Sequence, residues 1–349
     1  NIGDFVLGGR AVGPWLTAFA YGTTYFSAVV FVGYAGQFGW KYGLAASWIG
    51  IGNAILGSLL AWVILGKRTR IMTHHLKSTT MPDFFGSRYD CKAIRIAAAL
   101  ITFIFLIPYT ASVYNGLSRL FGMAFDIPYE ICIIVMAVLT GVYVVLGGYM
   151  ATAINDFVQG IIMLIGIVAV VAAVLNDNGG FMDAVGSLAR FESDASPTLG
   201  QPGAFTSFFG PDPINLLGVI ILTSLGTWGL PQMIHKFYAI RNEKAIKAGT
   251  VISTIFALII AGGSYFMGGF ARLYGHMVMI KEDGSIVYDT IVPNMLSSLS
   301  DLLIGIVVVL VLSASMSTLA SLVMTSSTTL TLDLIKGNII KKISEKKQL

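Results

Sequence analysis

Apolar stretches long enough to cross a bilayer as a helix, which takes about 20 residues, recur eight times along the chain. They fall at 14–36, 43–65, 97–117, 129–146, 151–175, 214–233, 249–270 and 302–324. The connectors are short except 176–213 and 271–301, which hold Gly, Pro, Ser and acidic residues. No soluble domain interrupts the series. The pattern predicts an all-α polytopic membrane protein with eight transmembrane helices, both ends of the chain on one side.

Composition agrees. Charged residues make up 11% of the 349 and hydrophobic residues 55%, with a mean hydropathy of +0.78, whereas a soluble domain carries about 25% charged residues. So few charges cannot clothe a soluble surface, which argues against a cytosolic enzyme, a nucleic-acid binder and a disordered scaffold. The net charge of +4 invites nucleic acid until the basic residues are sorted by side. Seventeen of the 22 fall on one side: Arg10, seven between 67 and 95, then Lys236, Arg241, Lys244 and Lys247, and five from Lys336 to Lys347. Lys41, Arg119, Arg190, Arg272 and Lys281 fall on the other. By the positive-inside rule, the first side is cytoplasmic, so both ends face the cytoplasm of a multi-pass plasma (inner) membrane protein. Acidic clusters at 177–212 and 282–301 lean outward. Cys91 and Cys132 are too isolated to imply a disulfide framework or a metal site. A chain that begins at Asn1, without an initiator Met, is expected to lack its natural N-terminus.

One ionisable residue is left near a span, Asp156, beside Asn155 and three before Gln159. A carboxylate at membrane depth is costly unless paired or hydrated, which makes it a functional candidate; the alternative is a position close enough to the cytoplasmic edge to stay wet. Two spans carry polar interruptions. In the first, Tyr21-Gly22-Thr23-Thr24-Tyr25-Phe26-Ser27 could open at Gly22 and Thr23, exposing carbonyls to a cation and a half-helix N-terminus to an anion. In the sixth, residues 223–231 end at Pro231, which lacks an N–H and clashes with the preceding turn. Close packing of small residues would explain either stretch alone, but two breaks five spans apart suggest inverted repeats meeting at a midplane site. In the eighth span, Ala314, Ser317, Thr318 and Ser321 share one helical face. The face offers neutral oxygens to a hard cation such as Na⁺, or interhelical hydrogen bonds.

Other signals fail. His74-His75 has no Cys or carboxylate at ligand spacing, Gly66-Lys67-Arg68 lacks the rest of a phosphate-binding loop, and nothing resembles a nucleophile with its base.

The chain resembles the sodium:solute symporter family, whose core is an inverted repeat of the leucine-transporter type. The resemblance rests on LGGRAVGPWLTAF (7–19), TMPDFFGSRY (80–89), LGGYMATAINDFVQGIIML (146–164), WGLPQ (228–232) and SMSTLASLVMTSSTTLTLD (315–333). The flavour is closest to the proline and pantothenate branches. The resemblance implies a Na⁺ site built from the carbonyls of Thr23, Phe26 and Ala314 and the hydroxyls of Ser317 and Thr318. Asp156 matches an aspartate implicated in sodium coupling or a second sodium, together with Ser321; Ala320 stands where such members carry serine, which favours one ion. The solute would lie among Tyr25, Tyr109, Thr223, Thr227 and Trp228. Val30 in place of the glutamine of sugar-carrying members argues against a sugar, leaving amino and organic acids. The family has one more helix before the first span and ten in its core. The chain is therefore expected to be a fragment: one transporter domain with a first repeat at about 11–175 and part of a second at about 214–335, without the leading helix and the last two core helices.

Together these readings predict a sodium-coupled secondary active symporter, not an enzyme. It would import a small organic solute, either an amino acid such as proline or another carboxylate, by alternating access. A pantothenate or monocarboxylate symporter, or a transporter-like sensor or channel, is the alternative. Its partners would be the solute, Na⁺ and the lipid bilayer, with no nucleic acid.

Overall fold

The computed structural model describes residues 2–125, 127–192, 202–336 and 339–340. The lysines at 341, 342, 346 and 347 and part of the outer acidic cluster, including Asp194, lie outside the described residues. Among those described, the backbone is helical apart from turns, loops and three isolated β-bridges.

Five helices are long and apolar enough to cross a membrane, or six with one bent pair taken as a single span. Two of the five are of double length, Val29–His75 and Glu130–Asp177. Each contains a left-handed glycine, Gly43 (φ 61°) or Gly148 (φ 57°), close to a junction between the stretches expected from the sequence. At Gly148 a Cβ would meet Phe5 at 2.9 Å, so this corner needs glycine both for its backbone angle and for the approach of the N-terminal helix Ile2–Leu7.

The first span starts as Pro14–Tyr25, with Pro14 in the first turn, where a missing N–H costs nothing. It ends at Phe26 (φ −103°, ψ 86°), whose N–H donates to the Gly22 carbonyl. The chain then resumes as a wider π-type turn, Val29–Tyr34, and the helix Ala35–Tyr42. The break thus lies four residues beyond Gly22, which remains helical. A Cβ on Gly22 would collide with the Phe256 ring, so this glycine serves the close packing of the first span on Glu243–Gly268.

The sixth span is Pro213–Leu225, a 3₁₀ turn Gly226–Gly229, extended Leu230, and then Pro231–Ala239 turned by 53°. Pro231 opens the second half rather than kinking one helix, as its fixed φ suits an N-terminus. The eighth span, Asp301–Thr328, packs along Tyr129–Asp177 and touches Pro14–Tyr25. Opposite faces carry apolar side chains without protein cover, among them Leu146 (81% exposed), Ile214 (84%) and Leu302 (77%), as lipid-facing helices do.

Candidate functional site

The unwinding at Phe26 removes intrahelical partners from the last carbonyls of Pro14–Tyr25, and the eighth span supplies replacements. Thr318 Oγ1 lies 3.3 Å from the Thr23 carbonyl, 3.5 Å from that of Thr24 and 3.0 Å from that of Ala314. Ser317 Oγ donates to Thr23 Oγ1 at 2.7 Å. Phe26 and Ala314 line one small cavity. All five residues are at most 1% exposed. Helical spacing brings the hydroxyls onto one face, and the break frees the carbonyls. The result is a dry cluster of neutral oxygens from two helices almost 300 residues apart, a donor set suited to a small alkali cation.

One turn further along the eighth span, Ser321 Oγ is 2.9 Å from Thr24 Oγ1 and accepts from Lys236 Nζ at 3.0 Å. The same ammonium lies 3.9 Å from Asp156 Oδ2 and over the Tyr149 ring at 5.3 Å. Asp156 is 1% exposed and Lys236 3%; neither is wet. Lys236 therefore does not belong among the surface charges expected from the sequence to mark the cytoplasmic side. The second half of the sixth span turns it inward against an aspartate 80 positions earlier. The remaining asymmetry of Lys and Arg is unaffected.

On the other side of the two breaks lies a cavity of about 460 Å³. Tyr25, Tyr109, Thr223 and Thr227, expected from the sequence, line it, together with Ser27, Gln37, Asn53, Asn115, Tyr265 and Asp289. Trp228 is not among the lining residues; its indole N–H donates to the Leu56 carbonyl at 2.9 Å. Tyr25 Oη donates to the Thr223 carbonyl at 2.9 Å, and Thr223 and Ser224 both donate to Asn53 Oδ1, at 3.0 and 3.1 Å. These bonds tie the first and second spans to the break of the sixth. Asn53 was legible as a lone amide in an apolar span. Asp289 was not, because it sits in a connector and reaches the cavity through Asn115, whose amide donates to it at 3.1 Å. Among the described residues Asp289 is the one acidic side chain lining the cavity, and no Lys or Arg does.

The opposite end is closed by charged bonds. Arg10 Nη2 donates to the Ser78 carbonyl at 2.6 Å and Nη1 to that of Tyr238 at 3.4 Å. Burial, and then neighbouring Arg70, lower the pKa of Arg10 from its ordinary value. Arg70 Nε donates to the Ile240 carbonyl at 2.7 Å. Arg95 pairs with Asp333 at 2.9 Å and with Asp83 at 3.1 Å, and Thr80 also bonds Asp333 at 2.6 Å. These contacts join the segment before the first span, the connector after the second, the end of the sixth and the end of the eighth.

The family model of the sodium:solute symporter family matches residues 5–349. A sodium/proline symporter of Staphylococcus aureus is 30% identical over 358 residues, covering 99% of this chain and 66% of its own length. The sodium/proline symporter of strain USA300 matches to the same extent. The chain thus spans just under two thirds of these relatives. A Na⁺-coupled sialic acid symporter, solved in a substrate-bound outward-open state, shares the fold with a TM-score of 0.78 at 16% identity, covering 99% of this chain and 72% of that one.

Proposed function

The chain belongs to the sodium:solute symporter family, and from that premise we propose that the whole protein couples inward movement of Na⁺ to uptake of a small zwitterionic solute of the amino-acid type. The observation that carries this reading is the 2.7 Å contact between Ser317 and Thr23 across the break of the first span, beside a cavity of a small solute's size. In this reading the carbonyls of Thr23, Phe26 and Ala314 and the hydroxyls of Ser317 and Thr318 replace the water shell of one Na⁺. An ion at that place ties the first span to the eighth and holds the cavity in shape; solute then engages both broken helices, and the bundle rocks about the site. A potential of 100 mV adds about 2.3 kcal/mol for each charge carried across.

The solute class follows from the cavity. Asp289 offers a carboxylate to an ammonium group, while a solute carboxylate is left to backbone N–H groups at the breaks and to hydroxyls such as Thr227. This arrangement favours an amino acid over a monocarboxylate or pantothenate, neither of which brings a cation. The S. aureus relatives carry the name of a proline symporter, in line with this class. Both halves support an inverted repeat at about 11–175 and 214–335: Pro14–Tyr25 and Pro213–Leu225 each begin with proline and end at a break after 12 and 13 residues. With the Arg-rich end placed in the cytoplasm, the cavity faces outward and the charged closure seals the inner side.

The test is uptake of radiolabelled amino acids, pantothenate and monocarboxylates by the full-length protein in proteoliposomes, with and without an inward Na⁺ gradient. Gradient-dependent uptake of an amino acid is expected. Accumulation that ignores Na⁺, or Na⁺ flux that ignores every solute, would overturn the reading.

A further inference from the structure

We propose that the ammonium group of Lys236 is a built-in cation that occupies the place of a second alkali ion, so that the transporter binds one Na⁺ where its oxygens would otherwise hold two. The inference rests on the sodium site assigned above, from which the second place is one turn away along the eighth span.

Hydroxyl and carboxylate oxygens meet there, with an amide oxygen on the same helix as the carboxylate. Ser321 Oγ bridges Thr24 Oγ1 at 2.9 Å and Lys236 Nζ at 3.0 Å. Asp156 contributes a buried carboxylate that faces Lys236 at 3.9 Å and has the Ser317 hydroxyl as a neighbour. Gln159 Oε1, buried and unbonded, lies three residues along the same helix face. This is an anionic, oxygen-rich cluster in a dry interior, and a buried carboxylate there demands a positive partner. A mobile cation would meet the demand, but the chain meets it with an amine tethered to Pro231–Ala239. The tether fixes the stoichiometry, because a covalently held charge cannot be carried across and released. It also couples the pocket to the moving element: when the second half of the sixth span shifts, Lys236 leaves Asp156 and Ser321 together.

A lysine kept only to neutralise a buried acid would predict no gain of ion binding when it is removed, and that difference is measurable. Equilibrium binding of ²²Na⁺ to the purified full-length transporter should saturate at one ion per protein for the wild type. Lys236→Met, which keeps the length and loses the charge, should saturate at two, with binding that becomes cooperative. Lys236→Met combined with Asp156→Asn should return to one. Two ions bound by the wild type, or one bound by Lys236→Met, overturns the proposal. If Lys236→Met does not purify as a folded protein, Lys236→Gln, which also removes the charge, is counted in its place, two ions supporting the proposal and one overturning it. Failure of the first site reads separately: Ser317→Ala with Thr318→Ala would then leave the wild-type count unchanged, whereas the difference between Lys236→Met and the double variant reports on Lys236 alone.

Discussion

Ser317 and Thr318 each do what an alanine cannot: they place an oxygen within hydrogen-bond reach of a helix that has just run out of its own partners. Ser317→Ala with Thr318→Ala should raise the Na⁺ concentration for half-maximal uptake at least tenfold, on the order of 1.4 kcal/mol, while solute affinity at saturating Na⁺ changes little; a sodium titration of initial uptake rates checks it. In the proposed reading Asp289 acts on the solute. Asp289→Asn keeps the size and the bond from Asn115 but removes the charge, so KM for an amino acid should rise about tenfold or more, since hydrogen bonds to charged groups contribute roughly 1.5–3 kcal/mol, with the Na⁺ dependence unchanged. A sequence reader sees the hydroxyls, because i, i+3, i+4 spacing announces a face. Asp289 stays hidden, because its partner Asn115 is 174 positions away.

At the scale of elements, the spans pack through glycines at selected crossings. Gly39 lies so close to the backbone of Gly268 that no side chain fits, and backbone cannot rotate aside. Gly39→Val should lower the melting temperature of the detergent-solubilised protein by several degrees, overpacking costing about 1–3 kcal/mol. Gly262→Ala, whose Cβ meets nothing within 4 Å, should leave it unchanged or raise it, as alanine favours helix; a thermal-unfolding series on the two variants checks both. The two breaks were legible to different degrees. Pro231 announces its own, since a missing N–H cannot continue a helix. The break at Phe26 has no such residue; it falls after Gly22 because a hydroxyl of the eighth span donates to the orphaned carbonyls. Local sequence indicates only a polar stretch there.

For the whole molecule, the proposed cycle opens the cavity end and the Arg-rich end in alternation, and in this structure the bonds of Arg10, Arg70 and Arg95 join the elements at the latter. Arg10→Ala together with Arg95→Ala should shift the population toward the inward-open form. Hydrogen–deuterium exchange is the measurement: backbone amides around 78–90 and 231–241 should exchange faster than in the wild type, and added Na⁺ should partly reverse this by favouring the outward-open form. Equal exchange in both proteins would show that the closure does not rest on these arginines. From the sequence they were expected only as charges marking one side; their bonds across elements were not legible, because their acceptors are mostly main-chain carbonyls of other elements.

The amino-acid sequence by itself determined the helical class, the long apolar segments and the hydroxyl face of the eighth span. These depend on composition and on spacing within one segment, where the covalent chain fixes which groups are neighbours. Only the tertiary structure decided where the first span opens, that Trp228 lies outside the cavity, that Asp289 lies within it, and that Lys236 is an interior charge rather than a surface one. Each of these depends on a partner many tens of residues away. The cost of burying a charge or orphaning a carbonyl is set by what stands opposite it, and the chain places that partner only on folding.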